Sequence, residues 1–236
     1  MRINVHAGHN PDGKKACGAV GLMKESTEAR NVKNEVIRQL KQLGHTVYDC
    51  TCEDGTSQAN VLTKIVNACN AHAVDLDVSI HFNSGAGGKN GNGKTTGVEV
   101  LIYNDVSTAK ETAKKVCESI AQLGYKNRGV KYRSDLYYLR KTDAAAMLIE
   151  CCFVDDKDDV KLYDYKSMAA AIVYGITGKR VDQTDEGESS VQNESQSGST
   201  EQMYRVQVGA YRSKSNAESM QARLKKAGFD AVIVKA

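Results

Sequence analysis

Short β-type apolar runs alternate with longer amphipathic stretches from residue 3 to residue 176, and this alternation limits the fold more than any other feature. INVHA (3–7), HTVYDC (45–50), LDVSIHF (76–82), GVEVLIY (97–103), DLYYLR (135–140) and AMLIECCF (146–153) read as strands. Residues 28–43 place Ala29, Val32, Val36, Leu40 and Leu43 at the three-to-four spacing of one helix face. Residues 61–72, 107–123 and 157–176 also read as helices. Gly44 and Gly124 stop two of these helices, because glycine accepts the left-handed conformation that ends a helix. A sheet of such apolar strands must be covered on both sides. The expected fold is therefore α/β: a three-layer sandwich with a mixed, mostly parallel sheet and helices on both faces. Functional groups in such folds gather at the carboxyl ends of the strands.

The stretch VDQTDEGESSVQNESQSGST (181–200) carries five acids, no base and no aromatic residue. It has too little apolar surface to offset the entropy of ordering, so it reads as a flexible acidic linker. It separates a domain over 1–180 from a small unit over 201–236. That unit reads β–α–β: YRVQVGAY (204–211), a helix over 215–227, then a strand after Gly228. Seven bases against three acids make it mildly basic, which suits an anionic or polar polymer as partner. With no Trp, no RNP-like motif and no helix-turn-helix pattern, nucleic acid is not the expected partner. No run approaches the ~20 apolar residues of a membrane span. Met-Arg-Ile-Asn at the N-terminus is followed by no apolar segment, so synthesis in the cytoplasm without a signal peptide is expected. The seven cysteines are odd in number and scattered. Cys50-Thr51-Cys52 and Cys151-Cys152 lack the spacing of a zinc knuckle, so all seven are expected to be free thiols in a reducing compartment.

Three chemically special side chains stand at predicted element ends. His9 follows the first strand, Glu25 in MKESTEAR precedes the first helix, and His81 in SIHFN closes a central strand. Two imidazoles and a carboxylate with a fourth position left open are a donor set that suits catalytic zinc. Glu150 ends a very apolar run, where a carboxylate is costly unless it serves a metal, a base or a water. Alternatively it is a buried acid paired with Arg128 or Arg140. The compact HExxH arrangement is absent, so spacing alone does not establish that these residues meet. Asp155, Asp156, Asp158 and Asp159 read as helix-capping acids. GAGGKNGNGK (85–94) lacks the GxxxxGK[ST] spacing of a phosphate loop and reads as a mobile loop bordering a groove.

The order of these pieces carries a resemblance. AGHN at 7–10, KE at 24–25 followed by Gly44, SIHFN at 79–83 and LIECCFVDDKDD at 148–159 occur in the order of the zinc-dependent N-acetylmuramoyl-L-alanine amidases called amidase 3, found in bacterial cell-wall hydrolases and phage endolysins. The resemblance runs from Ile3 to about Gly178. It implies one zinc ion held by His9, Glu25 and His81, with Glu150 as catalytic base, and hydrolysis of the amide between N-acetylmuramic acid and L-alanine. His6 becomes a packing neighbour, and Glu28 competes with Glu25 for the carboxylate position. Asn83 and Ser84, at the turn after His81, are expected to touch substrate. Asn10-Pro11 replaces the Gly-Gly that often follows the first histidine in that family. The tail resembles the first half of a SPOR domain, a module that binds peptidoglycan glycan strands, with Val206 to Gly209 and GFDA carrying the likeness. A half-length module is completed either by further chain or by two tails pairing as a homodimer. The resemblance thus implies peptidoglycan as partner and action at the bacterial wall once the membrane is breached. A non-catalytic peptidoglycan-binding protein on the same scaffold, or a zinc peptidase cutting within the stem peptide, are the alternatives.

Overall fold

The computed structural model describes residues 1–85, 89–181, 214–226 and 232–233. The chain divides into two compact units, Met1–Thr184 and Asp185–Ala236. The first unit holds strands β1 (Arg2–Ala7), β2 (Thr46–Asp49), β3 (Leu76–Asn83), β4 (Val98–Ile102), β5 (Asn127–Tyr132) and β6 (Ala146–Phe153). Its helices are α1 (Glu25–Gln42), α2 (Gln58–Asn70), α3 (Lys110–Ala121), α4 (Tyr137–Lys141), α5 (Lys157–Leu162) and α6 (Tyr165–Thr177). The strands form one sheet in the order β2-β1-β3-β6-β4-β5. All neighbours run parallel except β4 and β6, which are antiparallel. The expected mixed, mostly parallel α/β sandwich is the fold observed.

Side-chain alternation sorts the sheet residues between two cores. On one face Ile3, Val5, Val78, Ile80 and Ile149 meet Val32, Val36 and Leu40 of α1, with Val116 and Ile120 of α3 and Ile172 of α6 completing the cluster. Each side chain of this size stabilises the fold by about 1.5–3 kcal/mol when fully buried. On the other face Leu101 and Leu148 meet Val61 and Ile65 of α2, and Tyr138 and Leu139 of α4. Leu148 and Glu150 share this second face because side chains two apart on a strand point the same way. Six of the seven cysteines are buried and all are free, as expected of structural thiols.

Three local readings change. Residues 135–140 do not form a strand; Tyr137–Lys141 is a single helical turn. The buried residues there are the consecutive pair Tyr138 and Leu139, a pattern that alternation cannot make. The segment read as one helix over 157–176 is two helices. Asp164 breaks it by capping α6, its carboxylate accepting from the Ser167 N–H at 2.8 Å. Strand β5, NRGVKY, has no strand-like signature because it is a half-exposed edge bearing Arg, Gly and Lys. In the second unit, Lys214–Lys226 forms helix α7 where a helix was expected. Val232 and Ile233, within the expected second strand, are exposed and in no strand; the rest of the flanking strands, linker residues 182–200 and any pairing of tails lie outside the described residues.

Candidate metal centre

Four separate elements bring the site together. β1 ends at Ala7, and the chain turns at Gly8 with its N–H donating to the Ile80 carbonyl at 2.9 Å. A Cβ on Gly8 would fall inside the His81 ring, so only glycine allows that imidazole to lie against the turn. The next residue, His9, sits at φ 66°, a left-handed conformation unusual for a non-glycine residue. Such strain persists only where surrounding structure holds it. Here Asn10 supplies the hold. Its amide donates to the carbonyls of Lys15 and Gly55 at 2.7 and 2.6 Å and accepts from the Gly55 N–H at 2.9 Å. Asn10 thus pins the turn that carries His9.

Glu25 is the first residue of α1, and its carboxylate faces inward, 4% exposed. Oε2 accepts from the Ala19 N–H at 2.7 Å and Oε1 from the Phe82 N–H at 3.2 Å. Oε1 also lies 3.0 Å from His81 Nδ1 and 3.3 Å from His9 Nε2. Burial opposes its charge, but the hydrogen bonds and charge of the two histidines outweigh burial and hold the carboxyl well below its usual range. Ligand atoms of His9, Glu25 and His81 all lie within 4.8 Å of one another, close enough to share one ion. Two imidazoles and one carboxylate fit zinc in donor type and in number for a site with an open position. Gly18 closes the back of the cluster: at φ +80°, its missing Cβ would meet Glu25 Oε2 at 2.5 Å and His9 Cδ2 at 2.8 Å. Gly8 stands in the AGHN stretch that marks the first ligand, but its steric reason is His81, distant along the chain; Gly18 carried no signal in the sequence.

Glu28 does not compete. Its carboxylate accepts from Tyr163 Oη at 2.9 Å and Asn31 Nδ2 at 3.0 Å, away from the histidines.

Glu150 stands beside His81 in the β3–β6 register and beside Glu99 in the β4–β6 register. Its Oε2 is buried and has no hydrogen-bond partner. Burial, then the negative charges of Glu25 and Glu99, push its pKa up to about 8, opposed by Arg133. The alternative salt bridges are not formed. Arg128 donates through Nε to Glu99 Oε2 at 2.8 Å, and Arg140 lies over the Tyr137 ring.

A cavity of about 250 Å³ opens over His9, His81 and Glu150. Its wall is mainly apolar, from Val61, Leu62 and Ile65 of α2 and from Leu136 and Tyr138 around α4. His6 lines it too, its ring edge-on to Tyr138 at 4.7 Å between centroids; burial lowers its pKa to about 3, so it packs as a neutral ring. Asn83 and Ser84 do not line this cavity. Asn83 donates to Glu99 Oε1 at 2.9 Å and accepts from the Ser84 N–H at 2.9 Å. Asp156 caps α5 as expected, accepting from the Asp158 and Asp159 N–H groups. The carboxylates of Asp158 and Asp159, expected to cap as well, bond elsewhere. Asp158 accepts from the N–H groups of Asn92, Gly93 and Lys94, and Asp159 from those of Thr96, Gly97 and Phe153. They hold the loop that leads into β4.

Comparison with known proteins identifies the fold and the family. The chain is 35% identical over 167 residues to an uncharacterized protein of Clostridium perfringens, covering 70% of this chain and 48% of that protein. It is 30% identical over 181 residues to the N-acetylmuramoyl-L-alanine amidase CwlM of Bacillus licheniformis, covering 76% and 64%. The chain spans about half the length of the first of these relatives. Among solved structures, the catalytic domain of the CD27L endolysin targeting Clostridia difficile superposes with a TM-score of 0.68 at 26% identity, covering 77% of this chain and 99% of that one. A SPOR-domain profile matches residues 184–235. The profile of the N-acetylmuramoyl-L-alanine amidase family matches residues 3–178, and the chain belongs to that family.

Proposed function

We propose that the first unit is a zinc-dependent hydrolase of the amide between N-acetylmuramic acid and L-alanine in peptidoglycan. The observation that carries this reading is the convergence of His9, Glu25 and His81 beside Glu150, whose Oε2 is buried without a hydrogen-bond partner. His9, Glu25 and His81 would hold the ion, and Glu25 is fixed for that task by two backbone N–H groups. Zinc held there would supply Lewis acidity at the scissile carbonyl and would lower the pKa of a water toward ~7. Glu150 takes the proton of the attacking water and returns it to the departing amine of L-alanine. The apolar wall from α2 and α4 keeps bulk water from the reacting bond and strengthens the charge interactions around it.

The unit over 1–180 carries this activity, the stretch 181–200 tethers it, and the tail over 201–236 binds the glycan, in keeping with the SPOR match. The place of action is the bacterial cell wall. Mass spectrometry of purified walls digested with the zinc-loaded chain tests the reading. New N-terminal L-alanine on intact stem peptides, with unmodified muramic acid left on the glycan, is the expected product. Cleavage inside the stem peptide would replace the reading by a peptidase, and release of nothing by a binding protein.

A further inference from the structure

Arg133 is the one permanently cationic side chain among the described residues that line the cavity. It follows β5 directly, and its N–H donates to the Ile102 carbonyl at 2.9 Å, which fixes its backbone to the end of β4. Its guanidinium is oriented as well: Nε and Nη2 each donate to an Asp135 oxygen at 2.8 Å. That pair is exposed on both sides, so water screens it while it aims the fork. A guanidinium has five N–H donors in a planar array, and Asp135 uses two. The remaining donors belong to a group whose charge reaches Glu150. The mechanism leaves this cation unused.

The chemistry of the substrate says what a cation there meets. The lactyl carboxyl of muramic acid is consumed in the scissile amide, the glycan hydroxyls and acetamides are neutral, and the carboxyl of L-alanine is tied in the next peptide bond. The first free anion past the scissile bond is the α-carboxylate of the following D-glutamyl residue, which is joined through its side chain. In many walls this carboxylate is converted to a neutral carboxamide.

We propose that Arg133 is a specificity-determining residue that binds the free α-carboxylate of the second stem residue, so that the site favours peptidoglycan in which that carboxyl is not amidated. This rests on the amidase reading. Arg is the residue suited to planar, two-point binding of a carboxylate.

The test compares two soluble muramyl tetrapeptides that differ only in carboxylate or carboxamide at this position, cut by the full zinc-loaded chain. The wild type should show kcat/KM at least about tenfold higher for the carboxylate, expressed mainly in KM. Arg133→Gln should bring that ratio close to one, and Arg133→Lys should keep part of it. A merely structural loss lowers both substrates alike and leaves the ratio unchanged. Equal use of both substrates by the wild type overturns the proposal, as does an undiminished ratio in Arg133→Gln. Wild-type enzyme that cuts neither substrate strikes at the amidase reading itself, and the role of Arg133 falls with it.

Discussion

His81 and Glu150 are register partners on the adjacent parallel strands β3 and β6. One backbone pairing therefore sets a candidate metal ligand next to a candidate proton carrier, with no loop between them to blur their separation. Strand-borne groups of this kind are held more tightly than loop-borne ones.

If Glu150 only moves a proton, replacing it should spare the metal. Glu150→Gln is expected to keep one zinc per chain by metal analysis and to lose about 10²–10⁴-fold in wall hydrolysis. Near-wild-type turnover would remove Glu150 from the chemistry.

The ligand assignment predicts the opposite split. His9→Ala and His81→Ala should each lower bound zinc well below one per chain after dialysis, while Glu28→Ala should not, since Glu28 is engaged by Tyr163. Full zinc stoichiometry in His81→Ala would point to a different centre.

The two glycines of the site should act through the metal without unfolding the domain. Gly8→Ala drives a methyl into the His81 ring, and Gly18→Ala crowds Glu25 and His9 from a left-handed backbone. Both are expected to weaken zinc binding at least tenfold while the far-ultraviolet circular dichroism stays that of an α/β domain. Wild-type zinc affinity in both would mean that the cluster relaxes freely.

Glu150 also predicts a pH signature in the metal-free protein. Its folded pKa is raised from 4.5 to about 8, so between those values the folded state keeps a proton that the unfolded chain has lost. Stability contributed by that proton is present below about pH 4.5 and declines as pH rises toward 8. Metal-free Glu150→Gln should thus melt several degrees above metal-free wild type at pH 8, an effect on the order of a few kcal/mol at most, and the gap should close near pH 4.5. A gap independent of pH would contradict the buried, uncompensated carboxyl.

Asp159 offers a purely structural test. It is fully buried and accepts from the N–H groups of Thr96, Gly97 and Phe153. Asp159→Ala strands two buried donors and a part-buried one and should cost about 2–4 kcal/mol by denaturant unfolding. A loss below 0.5 kcal/mol would show that the loop before β4 is held by other means.

Most of the architecture was legible in the residue pattern, because apolar period is a local property. Ile3 to Ala7, Leu76 to Phe82 and Ala146 to Phe153 are buried strands and carry the apolar runs that burial requires. Where the pattern misled, another constraint ruled. Tyr137 and Tyr138 have strand-like side chains, yet contact with α2 turns them into one helical turn. The edge strand β5 has no apolar period to read, since edge positions favour charge.

The identities of His9, Glu25, His81 and Glu150 as chemically costly or metal-seeking groups at element ends were set by sequence alone, as was their family order. The spacing to Gly44 favours Glu25 over Glu28, but only the tertiary structure brought His9, Glu25 and His81 together, turned Glu28 away to Tyr163, and showed what Gly8 and Gly18 make room for. Positions three apart on a helix share nearly one face, so periodicity cannot separate Glu25 from Glu28. The separation comes from Tyr163, 135 residues away, which takes Glu28. Local sequence sets what each segment prefers; coordination needs atoms from distant segments within a few ångströms, and that distance is a property of packing.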